Sequence, residues 1–294
     1  MKKSVLYAVV LSFFLFTPRY VQSCSVFSTP NNNTRLMARN FDWSDGNGYL
    51  LFSAPGLSRT ADSGFSWKSR LASITWHLDS TGNDNYSIGG INEKGLAIEA
   101  VWLRETDYGQ SQDAALNEVE WITYNLDRYG SVREVAANAS SLKISKKQEP
   151  IHYMGCDPSG CFVLEYLNGK MILYTSKELP YQVLTNIPYK KGVDSLPAFQ
   201  GFGGNRELSG PSPLARFARA SYFLSTGGSH DLAAVFSSLS SLKVSVGNFV
   251  TKWSYVYDLG KKEIIFENGR KINLGDVMAK PRAGLSEKIL RLPY

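Results

Sequence analysis

Helical periodicity occurs in this chain as two paired blocks, and strand-forming sequence fills the rest. That succession constrains the fold more than any single motif does. In "NEVEWITYNLDRYG", Val119, Ile122 and Leu126 recur at i, i+3 and i+7, one face of a helix. "SVRE" (Ser131 to Glu134) has the form of a capping box and opens a second helix expected to reach Leu142. Leu214, Phe217, Ala218, Ser221 and Tyr222 make a third stripe; Leu232, Val235, Phe236 and Leu239 make a fourth. Between and around these pairs lie strand-like runs. "CSVFST" and "TRLMARNFDW" form a hairpin around "PNNN", followed by "GYLLFSAP", "RLASITWHL" and "YSIGGINEKGLAIEAVWL". After the first helical pair come "IHYMGCDPSGCFVLEYLNGKMILYTS", with a hairpin turn at Asn168-Gly169, and "YQVLTNIP". After the second pair come "TKWSYVYDL" and "KEIIFENGRKINL". Segregated blocks of this kind, without a repeat or a Pro/Ser-rich linker, predict an α+β fold with helices covering antiparallel sheets.

The first residues stand apart. Met1-Lys2-Lys3 is a short positive start, Val5 to Phe16 is an apolar run, and "TPRYVQS" is a polar exit with Val21 and Ser23 at the third and first positions before Cys24. This is the order of a secretory signal peptide, and the run is shorter than the roughly 20 residues a membrane span needs. The expected division is a leader over 1–23 and one domain over 24–294, exported to the periplasm or secreted, with no stable membrane insertion of the mature chain. The leader takes Lys2, Lys3 and Arg19 with it, so 29 basic face 26 acidic residues in the mature chain. No basic block with interleaved aromatics remains, which argues against a nucleic-acid partner.

Three cysteines follow the leader. Cys156 and Cys161 bracket "CDPSGC", where Pro and Gly demand a turn, and an oxidising compartment favours a hairpin disulfide between them. Cys24 is then the odd thiol. Neither the cysteines nor His77, His152 and His230 have metal-ligand spacing, so no metal is expected, and no cofactor motif is present. His77 and His152 sit among apolar strand residues, where a packed, hydrogen-bonded role is the commoner one.

A different base is available. Cleavage after Ser23 would free the α-amino group of Cys24, which titrates near pH ~8 rather than the ~10.4 of lysine. One residue would then supply a thiol nucleophile and its base, chemistry suited to acyl transfer from an amide followed by hydrolysis. Such a site also needs a carboxylate for the amine, a positive charge near the sulfur and donors for an oxyanion. Two other readings of Cys24 stay open: "VQSC" partly resembles a lipobox, so Cys24 could be acylated on a lipoprotein with a binding role, and a histidine-dependent cysteine hydrolase would use one of the three histidines.

"RNFDW" behind an N-terminal Cys, with "INEKGL", "LTN" and "SPLARF" in that order, resembles the choloylglycine hydrolase family of N-terminal-nucleophile amidases. The family includes bile salt hydrolases and penicillin V acylases. The resemblance implies a four-layer αββα sandwich, a small-molecule acyl-amide substrate and a homotetramer. It implies Cys24 as nucleophile, Arg39 beside the thiol, Asp42 holding the amine, Asn186 at the oxyanion, and Arg216 completing the polar site. Asn92 and Gly95 read as a tight turn. Seven residues past Gly95, bile salt hydrolases usually carry Asn, and this chain has Trp102. That Asn side chain's contribution is then missing, although the backbone N–H of Trp102 could still face the oxyanion; together with Trp43 the indole implies a narrower, aromatic-lined pocket and the penicillin V acylase-like Gram-negative branch, with N-acyl homoserine lactone deacylation as a further activity. Bile salt hydrolysis is the alternative.

Overall fold

The computed structural model describes residues 23–30, 34–110 and 113–292. The leader expected over 1–23 lies outside the described residues except for Ser23, and the tip of the first hairpin, 31–33, also lies outside them.

Two antiparallel sheets form the centre. The first orders Val183–Thr185, Ser25–Ser28, Leu36–Trp43, Phe249–Asp258, Glu263–Phe266 and Lys271–Asn273, with Ser245–Val246 pairing beside Phe249–Asp258. The second orders Lys170–Thr175, Gly160–Leu167, Ile151–Asp157, Ala97–Trp102, Gly89–Asn92, Ser73–Leu78, Gly48–Ser53 and Ser286–Leu292. Helices Glu120–Arg128 and Val132–Asn138 cover the outer face of the second sheet over a core that includes Ile122, Leu126 and Tyr153. Helices Pro213–Ser225 and Leu232–Ser241 cover the first, and their Phe217, Val235 and Leu239 join the core that also fills the space between the sheets. This is the αββα order expected from the family resemblance and the α+β class expected from the block pattern. Among the described residues no helix is long and apolar enough to cross a membrane.

Most predicted elements are present, and the differences have local causes. The cap forms with its return bond shifted by one residue: Ser131 Oγ accepts from Glu134 N at 3.2 Å, and Glu134 Oε2 accepts from Gly130 N, just before the cap, at 2.6 Å. Its helix stops at Asn138, short of Leu142, where Asn138 Nδ2 takes the Glu134 carbonyl and Ser141 Oγ takes that of Asn138. In the third helical stripe Tyr222 is exposed, and the stripe is rotated so that Arg216 is buried. The strand Ser286–Leu292 escapes prediction because it is a polar edge strand with a mostly exposed pattern. The helices Tyr189–Ser195 and Leu274–Met278 also went unpredicted; each is about two turns or less.

Cys156 and Cys161 are directly opposite in the Ile151–Asp157/Gly160–Leu167 hairpin and are disulfide-bonded. Asn92 and Gly95 form the tight turn. Asn92 Oδ1 accepts from Lys94 N and Leu96 N, its Nδ2 donates to the Leu126 and Tyr129 carbonyls, and Gly95 has φ 84°. A side chain at Gly95 would also meet the Leu259 carbonyl at 2.3 Å, so the position excludes one on two counts.

Candidate active site

The antiparallel register places Val26 opposite Arg39 and Ser25 opposite Asn40. Alternation along a strand then sends Arg39, Phe41 and Trp43 to the face between the sheets, and Asn40 and Asp42 to the face beneath the helices. The contacts agree: Arg39 reaches Glu99 of the second sheet, whereas Asn40 Nδ2 donates to the Leu239 carbonyl of a covering helix at 2.8 Å. Cys24 lies just before the first strand with its thiol on the Arg39 face, Arg39 Nη2 standing 3.8 Å from Sγ. Cys24 is 3% exposed and lines a solvent-open cleft. Phe41, Trp43, Tyr86, Ile88 and Trp102 supply much of its apolar wall, a lining chemistry suited to a small molecule.

Arg216 joins the remaining predicted residues. Its Nη1 donates to the Cys24 carbonyl at 2.6 Å and to Ser25 Oγ at 2.7 Å, and its Nη2 donates to Asn186 Oδ1 at 3.0 Å. Because Arg216 claims the amide oxygen, the Asn186 NH2 is turned the other way. One of its hydrogens meets the Trp102 carbonyl at 2.8 Å, and the other remains available as a donor. The Trp102 indole Nε1 donates to Glu149 Oε2 at 3.1 Å.

The electrostatics divide by face. Burial pushes the Cys24 thiol up, and the neighbouring Arg39 charge pulls it down by less. Burial pushes Asp42 up to about 7, against weaker opposite pulls from Thr251, its cross-strand neighbour, and from Arg216 and Arg39. Asp42 is fully buried, and neither carboxylate oxygen meets a donor in hydrogen-bond geometry among the described residues. Burial lowers Arg216 to about 10, with Asp42 and Cys24 opposing.

The sequence reading missed the support behind Arg39. Glu99 is fully buried and forms an ion pair with Arg39. Its Oε1 accepts from Tyr255 Oη at 3.0 Å and Tyr257 Oη at 2.5 Å, and Tyr257 Oη accepts from Trp76 Nε1 at 2.7 Å. Gly89 makes room for this carboxylate: a Cβ there would fall 2.1 Å from Glu99 Oε2. The signal was present in "GLAIEAVWL", where a lone acid interrupts an apolar strand and so needs buried partners.

The histidines take no part in the cleft wall. His77 Nε2 bonds Thr75 Oγ1 at 2.8 Å and its burial lowers it to about 3; His152 Nδ1 bonds Glu165 Oε1 at 2.8 Å. No group of His, Cys, Asp and Glu able to hold a metal ion occurs among the described residues.

Comparison with known proteins identifies the family and the fold. Residues 24–209 match the choloylglycine hydrolase family of linear amide C–N hydrolases. A penicillin V acylase from Pectobacterium atrosepticum is 28% identical over 316 aligned residues, covering 90% of this chain and 84% of the relative. Among solved structures, a penicillin V acylase from Agrobacterium tumefaciens superimposes with a TM-score of 0.74 at 24% identity, covering 91% of this chain and 90% of its own. A variant conjugated bile acid hydrolase from Clostridium perfringens gives 0.75 at 16% identity, covering 92% and 98%. At these identities the two structures establish a shared fold.

Proposed function

Because this chain belongs to the choloylglycine hydrolase family of linear amide C–N hydrolases, we propose that it is an exported N-terminal-cysteine amidase of the penicillin V acylase type. The observation that carries this reading is the buried Asp42 carboxylate, which faces the Thr251 hydroxyl but makes no ion pair among the described residues, on the face of the strand pair opposite the Cys24 thiol. In the uncut chain the nitrogen of Cys24 is an amide. Cleavage after Ser23 replaces it with an amine, the cationic donor that Asp42 lacks.

The proposed reaction then has these steps. The α-amine takes the thiol proton, and the thiolate attacks the substrate carbonyl carbon. The free Asn186 N–H, aimed by Arg216, receives the oxyanion. The α-ammonium returns its proton to the leaving nitrogen as the C–N bond breaks, leaving an acyl-thioester on Cys24. Water, deprotonated by the same amine, attacks the thioester and releases the acid with the restored thiol. Burial supports this order: a thiol pushed up by desolvation stays protonated until a base adjacent to it accepts the proton.

The aromatic cleft favours a phenoxyacetyl or fatty acyl group over a steroid acyl group. N-acyl homoserine lactones fit that preference.

The test is a deacylation panel of penicillin V, glycocholate and a long-chain N-acyl homoserine lactone, with the mass of the mature N-terminus measured in parallel. We expect turnover of the first or third, none by Cys24→Ala, and a chain beginning at an unmodified Cys24. Fast glycocholate turnover with little else, or a lipid adduct on Cys24, overturns the reading.

A further inference from the structure

The formally charged side chains in the cleft wall are Arg39 and Glu149. Arg39 has its counter-ion in Glu99. Glu149 has no cationic partner among the described residues; its Oε2 accepts only the neutral indole N–H of Trp102. The carboxylate is held in place from behind. Glu118, fully buried, accepts three consecutive backbone N–H groups, from Lys147 at 2.6 Å, Gln148 at 2.5 Å and Glu149 at 2.8 Å. Tyr153 Oη donates to the Glu118 carbonyl at 2.8 Å, tying the same point to the second sheet. A loop fixed by one buried carboxylate thus presents another to the cleft, half-buried, beside the tryptophan whose carbonyl orients Asn186.

We propose that Glu149 is a specificity-determining residue that makes the cleft reject negative charge, so that neutral N-acyl amides are hydrolysed in preference to amides bearing a carboxylate. The proposal rests on the amidase reading and refines its substrate class. A fixed negative charge in a partly desolvated cleft repels a substrate carboxylate far more than water-exposed charges do. Within the panel above, penicillin V and glycocholate carry a carboxylate and an acyl homoserine lactone does not.

The experiment uses pairs matched in shape and differing in charge. Phenoxyacetyl-glycine and phenoxyacetyl-glycinamide place the charge on the leaving amine. A glycinamide acylated by a dicarboxylic acid, and the same compound with its terminal carboxyl converted to the amide, place it at the acyl end. Mature enzyme at low ionic strength should favour the neutral member of at least one pair by about tenfold in kcat/KM. That ratio should fall toward one in about 0.5 M salt. Glu149→Gln, which keeps an oxygen for the Trp102 indole, should bring it within about twofold of one. The pair that responds identifies the half of the substrate lying against Glu149. Ratios near one in both pairs for the unmodified enzyme, or a ratio unmoved by both salt and Glu149→Gln, overturn the proposal while leaving the amidase reading intact. Turnover of none of the four compounds overturns the amidase reading and this proposal with it.

Discussion

Two buried arginines flank Cys24, and they are held in opposite ways. Arg39, in the space between the sheets, has a carboxylate of its own: burial works against its charge, and Glu99 beside it outweighs burial with help from Tyr255, Cys24 and Tyr257. Arg216, beneath the helices, donates to a carbonyl, a hydroxyl and an amide oxygen, all neutral, and burial brings it down to about 10. Arg39 is thus paired directly with one buried carboxylate, whereas Arg216 makes no ion pair among the described residues and is supported through space by Asp42 and Cys24. The difference teaches that a counter-ion does not cancel an arginine's reach: Arg39, 3.8 Å from Sγ, still lowers the Cys24 thiol more than Arg216 does.

The largest expected effect breaks the balanced side. Arg39→Gln or Glu99→Gln alone leaves an uncompensated buried charge and should cost about 3–5 kcal/mol of stability in urea unfolding. The double variant Arg39→Gln/Glu99→Gln should lose clearly less than the two single losses added together. Additive losses would show that the two side chains act independently.

Asp42 probes the other side through pH. Its folded value of about 7 lies above the unfolded carboxylate value near ~3.9, so the folded chain binds the extra proton between those limits. A chain that retains Ser23 should therefore gain stability from Asp42 as pH falls from about 7 toward 4, on the order of 4 kcal/mol at most. In a chain beginning at Cys24 the charged α-ammonium should hold Asp42 ionised, and that gain should vanish. Equal pH slopes in the two chains, read by denaturant melts, would break the pairing of Asp42 with the amine.

Arg216→Gln should lower kcat/KM by roughly a hundredfold to a thousandfold, the usual cost of one lost oxyanion donor, because Asn186 loses the contact that orients it. Arg216→Lys should not rescue it, since one point charge cannot replace a fork that spans three acceptors. A rescued Lys variant would mean that charge alone matters on this side.

How much of this was legible from sequence follows the same division. The residues with a single conspicuous role, Cys24, Arg39, Asp42, Asn186 and Arg216, appear in ordered motifs, and the fold brings them together. The strand and helix blocks were legible because periodicity survives wherever one face is buried. What escaped is support assembled from distant strands: Glu99, Tyr255 and Tyr257 are 156 and 158 residues apart across two sheets. Glu118 escaped for a related reason. Its task is to hold three backbone N–H groups about 30 residues away, which leaves no local pattern. The edge strand Ser286–Leu292 was hidden by its exposure, since an edge has only one buried neighbour to impose alternation.

The smallest expected effect concerns the histidines, which belong to neither arginine's surroundings. His152 is buried against Glu165, whose Oε1 also accepts from Tyr189 N at 2.7 Å, so it ties the second sheet to the helix that follows Asn186. His77 is held by Thr75 and stacks on Tyr49 with ring centroids 5.1 Å apart. Removing a general base costs about 10²–10⁴ in rate. Removing one member of a buried hydrogen-bonded pair costs about 1–3 kcal/mol of stability and leaves an intact site intact. His77→Gln and His152→Gln should therefore shift urea midpoints while kcat, measured well below those midpoints, stays within about threefold of the unmodified enzyme. A hundredfold fall in kcat in a variant that melts normally would move the base from the amine of Cys24 to a histidine, and the separate roles of the two arginines would have to be assigned again around it.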